Sequence, residues 1–288
     1  MDLHQWRDID YRGTVVRVDY TTTDQEGKPW AKYANVYLPY GYDGSKPYNI
    51  LYLMHGGGGN PDAWLDCSQI KNVLDRGFAE GINEPFLVVF PTFYALLPGE
   101  YRKNGVKGDW ENIQVKFFQK EFQNDLIPAV EGRFHTYAEN TTPEGLRASR
   151  LHRAFGGFSM GSATTWYVFT DHLDIVGTFL PLSGDCWAVR PSGGRLATEE
   201  TAKALADTVR SLGFTKADFK IFAGTGSKDP ACQGMVPQLK AMEAYPDLFE
   251  MGEDFAQGNM HFNIKEDAVH AYEEVYHHVW NYLPALFR

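Results

Sequence analysis

The segment of this chain best equipped for chemistry is Gly157-Phe158-Ser159-Met160-Gly161. An apolar, strand-like run precedes it (Arg153–Phe158) and a helix-compatible run follows it (Ser162–Thr170). Glycines at this spacing let a strand and a helix approach closely around a sharp turn, which holds the serine hydroxyl exposed in a strained conformation. A serine hydroxyl is a weak nucleophile, so it needs a base, and the base needs an orienting carboxylate. Two carboxylates follow Ser159 at the ends of apolar runs: Asp185 after Val176–Leu182, and Asp229 after Phe219–Ala223. The acid of such an arrangement sits at the end of the second strand past the nucleophile. That selects Asp229, in Gly224-Thr-Gly-Ser-Lys-Asp-Pro, and leaves Asp185 as a candidate for the pocket wall.

Four histidines lie beyond Asp229. His261 falls inside the last strand-like run, and the pair His277-His278 lies well into a terminal helical pattern, so packing or surface roles fit these three. Only His270 follows the strand and precedes or opens the helix, where a loop can aim it back at Ser159. Acyl transfer also requires donors for the developing oxyanion. The backbone N–H of Met160 supplies one, and the second is expected from Gly57 and Gly58 in His55-Gly-Gly-Gly-Gly-Asn, which follows the run Ile50–Met54. His55 is expected to hold that loop in shape.

These residues need a scaffold, and its elements are legible. Gly13–Tyr20 and Lys32–Leu38 alternate apolar with polar residues around a turn at Asp24–Pro29, which predicts an antiparallel hairpin. Short apolar runs recur at Ile50–Met54, Phe86–Phe90, Arg153–Phe158, Val176–Leu182, Phe219–Ala223 and Met260–Ile264, separated by helical stretches. Such alternation predicts an α/β class chain: a mostly parallel sheet with helices on both faces and an antiparallel N-terminal edge. Helices are expected over Val115–Val130, over Thr198–Leu212 (opened by a capping-box-like Glu and closed at Gly213), and over Ala268–Phe287. One domain is expected to span residues 1–288.

The composition narrows the function classes. Hydrophobic residues make up 43% of the 288, enough for a substantial core, so disorder is excluded. A formal net charge of −10 argues against nucleic acid and against an anionic membrane surface, both of which require a cationic face. Cys67, Cys186 and Cys232 have no C-x-x-C spacing, so neither a disulfide framework nor a zinc site is written here, although a single disulfide stays open. The N-terminus has no basic and apolar leader pattern, and no stretch has the roughly 18 apolar residues a membrane span needs.

The chain also resembles the feruloyl esterases of carbohydrate esterase family 1, particularly those attached to bacterial xylanases. The resemblance rests on Phe117-Phe-Gln-Lys-Glu-Phe, Asp125-Leu-Ile-Pro-Ala-Val-Glu, Thr136-Tyr-Ala-Glu, Ser149 through Gly161, Pro181-Leu-Ser-Gly-Asp-Cys-Trp and Tyr282-Leu-Pro. It runs from about Gly13 to the C-terminus. It implies an α/β-hydrolase fold, triad positions at Ser159, Asp229 and His270, and a Trp187 that packs against a feruloyl ring. It further implies feruloylated arabinoxylan or its oligosaccharides as substrate, no metal or organic cofactor, and an extracellular location. The same family contains acetylxylan esterases, so an acetylxylan or general carboxylesterase with the same triad is the alternative. A non-catalytic carbohydrate-binding module is disfavoured by the complete triad and glycine loop. On oligomeric state the sequence is silent.

Overall fold

Among the described residues, each of these runs becomes a strand of one eight-stranded sheet: β1 (Thr14–Thr23), β2 (Pro29–Leu38), β3 (Ile50–Met54), β4 (Leu87–Phe90), β5 (Arg153–Phe158), β6 (Thr178–Leu182), β7 (Lys220–Gly226) and β8 (Met260–Lys265). The computed structural model describes residues 9–24, 27–94 and 110–288. Residues 1–8, which bear on the leader reading, and positions 25 and 26 of the hairpin turn lie outside the described residues. The strand order is β1-β2-β4-β3-β5-β6-β7-β8. The β1–β2 and β2–β4 pairs are antiparallel, and every other pair is parallel. The expected antiparallel edge is therefore present.

The helices are α1 (Ala63–Cys67), α2 (Ile70–Ala79), α3 (Trp110–Glu121), α4 (Ile127–Glu131), α5 (Pro143–Ala148), α6 (Met160–His172), α7 (Gly193–Leu196), α8 (Thr198–Ser211), α9 (Cys232–Met242) and α10 (Tyr272–Tyr282). Because successive strand residues point to opposite faces, β3 feeds two cores. Ile50, Tyr52 and Met54 join a core with residues of α3, α6, α8 and α9. Leu51 and Leu53 join another with residues of α1, α2 and α10. All five are buried, which is why the run reads as continuously apolar rather than alternating.

Three local expectations are corrected. The helix expected over Val115–Val130 starts at Trp110 and is interrupted by a π-helical turn, Phe122–Leu126. Pro128 sits just beyond, and its ring and missing N–H cannot continue a regular α-helical ladder, so the wider turn absorbs the mismatch. The capping box at Thr198 does not form. The N-cap is Ala197, and the Thr198 hydroxyl instead donates to the Gly194 carbonyl at 2.8 Å. The terminal helix begins at Tyr272 rather than Ala268 and ends in a 3₁₀ turn over Leu283–Ala285. Residues 268–271 are thereby left as loop.

Two buried ion pairs tie the layers together. Arg153, 1% exposed at the start of β5, makes a bidentate contact with Glu131 of α4 at 2.6 and 2.7 Å. On the other flank, Lys32 of β2 lies 2.7 Å from Glu121 at the end of α3, and Tyr20 of β1 donates to the same carboxylate at 2.6 Å. Burial pushes the Lys32 ammonium down and the Glu121 carboxyl up, with their mutual attraction working against both. Removing one member of such a pair costs about 3–5 kcal/mol, because its partner is left buried and uncompensated.

Burial also sets an acid limit on stability. It pushes both His55, at the end of β3, and His278, in α10, down to about 4. Both stay neutral in the fold, whereas in the unfolded chain they titrate near about 6.5. Their contribution is therefore fully present above about pH 6.5 and is lost as the pH falls towards 4. At about 1.4 kcal/mol per unit, each contributes on the order of 3 kcal/mol. Urea unfolding at pH 7 and pH 5 should show a marked loss at the lower value, before most carboxylates titrate. Equal stability at both would overturn the assignment.

Candidate active site

Ser159 stands between β5 and α6 with φ 58° and ψ −115°, a left-handed region that a residue with a Cβ enters only under strain. Its N–H donates to the Leu182 carbonyl of β6 at 2.9 Å, which pins the turn to the neighbouring strand. The flanking glycines are sterically required. A Cβ on Gly157 would lie 2.6 Å from the Gly161 backbone, and one on Gly161 would lie 2.5 Å from the Met54 carbonyl oxygen.

The loop ahead of α10 carries His270 over this turn. Its Nε2 lies 2.8 Å from Ser159 Oγ, and its Nδ1 lies 2.9 Å from each carboxylate oxygen of Asp229. Phe158 packs against the imidazole with ring centroids 4.6 Å apart. Asp229 follows β7 and is 3% exposed. Burial works to raise its pKa, but hydrogen bonds from His270, the Ala231 amide and the Ser183 side chain outweigh it and hold the carboxyl below its ordinary value. Nucleophile, imidazole and ionised carboxylate thus form one hydrogen-bonded line. Asp185 takes no part in it. Its carboxylate accepts the Trp187 indole N–H at 3.0 Å and the Arg195 amide at 3.3 Å.

The glycine loop after β3 is held by side chains from distant parts of the chain. Tyr272 accepts the Gly56 N–H at 2.8 Å, and Tyr94 accepts the Gly58 N–H at 2.7 Å. Gly58 is therefore corrected as an oxyanion donor, since its amide is already engaged. The Gly59 amide goes to the Gly56 carbonyl. Among the described residues, the amides of Gly57 and Met160 donate to no protein group. His55 stands where a scaffold residue should: its Nδ1 lies 2.7 Å from the Gly56 carbonyl and its Nε2 lies 2.8 Å from the Thr92 hydroxyl. The Thr92 carbonyl in turn accepts Lys32 Nζ at 2.6 Å. A continuous hydrogen-bonded path thus runs from the buried Lys32–Glu121 pair to the loop beside Ser159. Sequence reasoning missed Tyr94, Thr92 and Tyr272, since nothing in their spacing marks residues that contribute only a hydroxyl to a loop elsewhere.

Ser159 and His270 open into a cleft of about 240 Å³ whose walls include Trp187, Asp185, Ser192 and Arg195. An apolar cavity of roughly 150 Å³ accepts benzene, so there is space for an aromatic ring with a short arm. Trp187 is half-buried, and its carbonyl accepts the Tyr167 hydroxyl at 2.7 Å. Cys67, Cys186 and Cys232 are free thiols, with the buried Cys186 pushed up to about 12. Among the described residues no group of three or more His, Cys, Asp or Glu has metal-holding geometry, and no helix is long and apolar enough to cross a membrane.

A mostly parallel sheet with a strained serine at a strand–helix turn, backed by histidine and aspartate from later strands, defines a serine hydrolase of the α/β-hydrolase class. Residues 30–288 match the family described as "Putative esterase", and the chain belongs to that family. It is 41% identical over 276 residues to endo-1,4-beta-xylanase Y of Acetivibrio thermocellus, covering 96% of this chain and 23% of the relative. The chain thus spans about a quarter of the length of that relative. Among solved structures, it resembles a serine-to-alanine mutant of the feruloyl esterase module from Clostridium thermocellum complexed with sinapinate. The TM-score is 0.83 at 39% identity, over 100% of this chain and 93% of that one. A CE1 ferulic acid esterase from the anaerobic fungus Anaeromyces mucronatus shares the fold, with a TM-score of 0.70 at 19% identity over 98% and 92% of the two chains.

Proposed function

We propose that this chain is a feruloyl esterase acting on hydroxycinnamoyl esters of arabinoxylan, its residues 1–288 working as one esterase domain. The observation that carries the reading is the Ser159–His270–Asp229 line opening onto a cleft walled by Trp187. The 39% identity to a feruloyl esterase module solved with sinapinate supports the acyl group. Kinship with a xylanase supports a cell-wall polysaccharide as the alcohol side, and hence an extracellular site of action.

In this mechanism Ser159 Oγ attacks the ester carbonyl as His270 Nε2 takes its proton. The tetrahedral oxyanion is stabilised by the N–H groups of Met160 and Gly57. Asp229 holds the imidazole in the tautomer that presents Nε2 to the serine and stabilises the imidazolium. His270 then gives its proton to the departing sugar oxygen, which leaves as the free hydroxyl as its bond to the acyl carbon breaks and a feruloyl ester remains on Ser159. A water activated by His270 releases the acid and restores the serine. The ring of the acyl group lies against Trp187, whose orientation Asp185 fixes through the indole N–H.

The test is acid release from methyl ferulate beside release from an aryl acetate. A higher kcat/KM on ferulate supports the reading, and turnover of acetate alone refutes it in favour of an acetyl esterase. Trp187→Ala should raise KM for methyl ferulate about tenfold, equivalent to about 1.4 kcal/mol of lost ring contact, and leave KM for the acetate nearly unchanged. Equal effects on both would remove Trp187 from the acyl pocket.

A further inference from the structure

A second groove, of about 420 Å³, lies on the far side of the glycine loop. Trp30 and Tyr33 of β2 line it, together with Asn60, Pro61, Thr92 and Tyr94. Topology places it on the catalytic edge of the sheet. β2 runs antiparallel to β4 with Asn35 opposite Phe90, so Trp30 and Tyr33 extend past the C-terminal end of β4, the edge where Ser159 follows β5. Open α/β sheets bind their ligands along that edge. The loop joins the two sites: a Cβ on Gly56 would lie 3.4 Å from Ser159 Cβ, while Gly58 and Gly59 line the groove.

The walls are preorganised. The Tyr33 hydroxyl donates to Asp62 at 2.7 Å, the Arg17 guanidinium sits 3.8 Å from its ring centroid, and Asn35 anchors the other oxygen of Asp62 at 2.7 Å. Trp30 is half-buried. Aromatic faces beside backbone polar groups suit a ligand whose C–H faces stack while its hydroxyls form hydrogen bonds, which is the chemistry of a neutral sugar. β2 and β4 stand three and two strand positions from β5, so the groove lies roughly 10–14 Å from the nucleophile. The methyl group of methyl ferulate bound at Ser159 cannot reach it, whereas a pentose chain can.

We propose that this groove binds the pentose chain on the alcohol side of the ester, an inference that rests on the arabinoxylan reading above. Trp30 and Tyr33 would then set the preference for polymeric over simple esters. Trp30→Ala and Tyr33→Ala should each raise KM for a feruloylated arabinoxylo-oligosaccharide about five- to tenfold and leave both constants on methyl ferulate unchanged, while Trp30→Phe, which keeps a ring, should retain most of the affinity. Unchanged KM on the oligosaccharide, or parallel losses on both substrates, would overturn the proposal. A calorimetric titration with unesterified arabinoxylo-oligosaccharide separates this failure from failure of the esterase reading. Binding that Trp30→Ala abolishes supports the groove even if ferulate is not turned over, and absence of binding by the wild-type protein refutes it.

Discussion

Ser159→Ala should lower kcat on methyl ferulate by about 10⁴-fold or more, with KM changed little. The loss is this large because the three groups act as a unit: once Oγ is gone, His270 and Asp229 have nothing to activate. Residual turnover, on the order of 10³–10⁴ over water in well-studied serine enzymes, comes from oxyanion stabilisation and binding alone. Single-turnover kinetics with mass spectrometry provide the check. A feruloyl adduct should accumulate on the wild-type protein and be absent from the variant. Near-wild-type turnover by Ser159→Ala would refute the assignment outright. The same position offers a thermodynamic signature. With φ at 58°, Ser159 holds strain on the order of 1–3 kcal/mol, so Ser159→Gly should be inactive yet melt at a higher temperature.

Asp229→Asn should cost about 10⁴-fold in kcat while leaving the backbone in place. The carboxylate faces Nδ1 with both oxygens at 2.9 Å, which requires the proton on Nδ1 and leaves the lone pair of Nε2 for the serine. An amide in its place can donate to Nδ1 and so favour the opposite tautomer, in which Nε2 carries the proton and cannot accept one. Asp185→Asn should act differently, through KM, because that carboxylate holds Trp187 and the Arg195 amide. Measuring kcat and KM for both variants on methyl ferulate decides between them. A larger kcat loss at Asp185 than at Asp229 would exchange their roles.

Much of this arrangement is legible in the sequence. The strand runs Ile50–Met54 and Arg153–Phe158 match β3 and β5 residue for residue, because strands buried on both faces read as near-continuous apolar runs, with Arg153 admitted at the start of β5 by its pairing with Glu131. Chain order is what singles out Ser159, Asp229 and His270 as candidates, since each follows a strand end bounded by recognisable turns. What escaped was whatever depends on contacts between distant segments. Gly58 looks identical to Gly57 in the sequence, and it is the hydroxyl of Tyr94, 36 positions away, that takes up the Gly58 amide. The last helix starts four residues later than its pattern suggests, because Ala268 through Ala271 have no strong helix-breaking character while tertiary packing holds them as loop. The π-turn was hidden for a similar reason: Pro128 signals a disruption but not the form it takes.

The path from Tyr20 through Glu121, Lys32, Thr92 and His55 to Gly56 bears on how this unit can be moved between proteins. The family match begins at residue 30, after β1 has ended. A gene fusion cut at that boundary would keep every triad residue yet discard the donor that completes a buried charge pair. It would also bare the outer edge of β2, offering unpaired amides to any passing strand. Such a graft should fail as a sticky, poorly active fragment, while one that starts upstream of Thr14 carries its own seal.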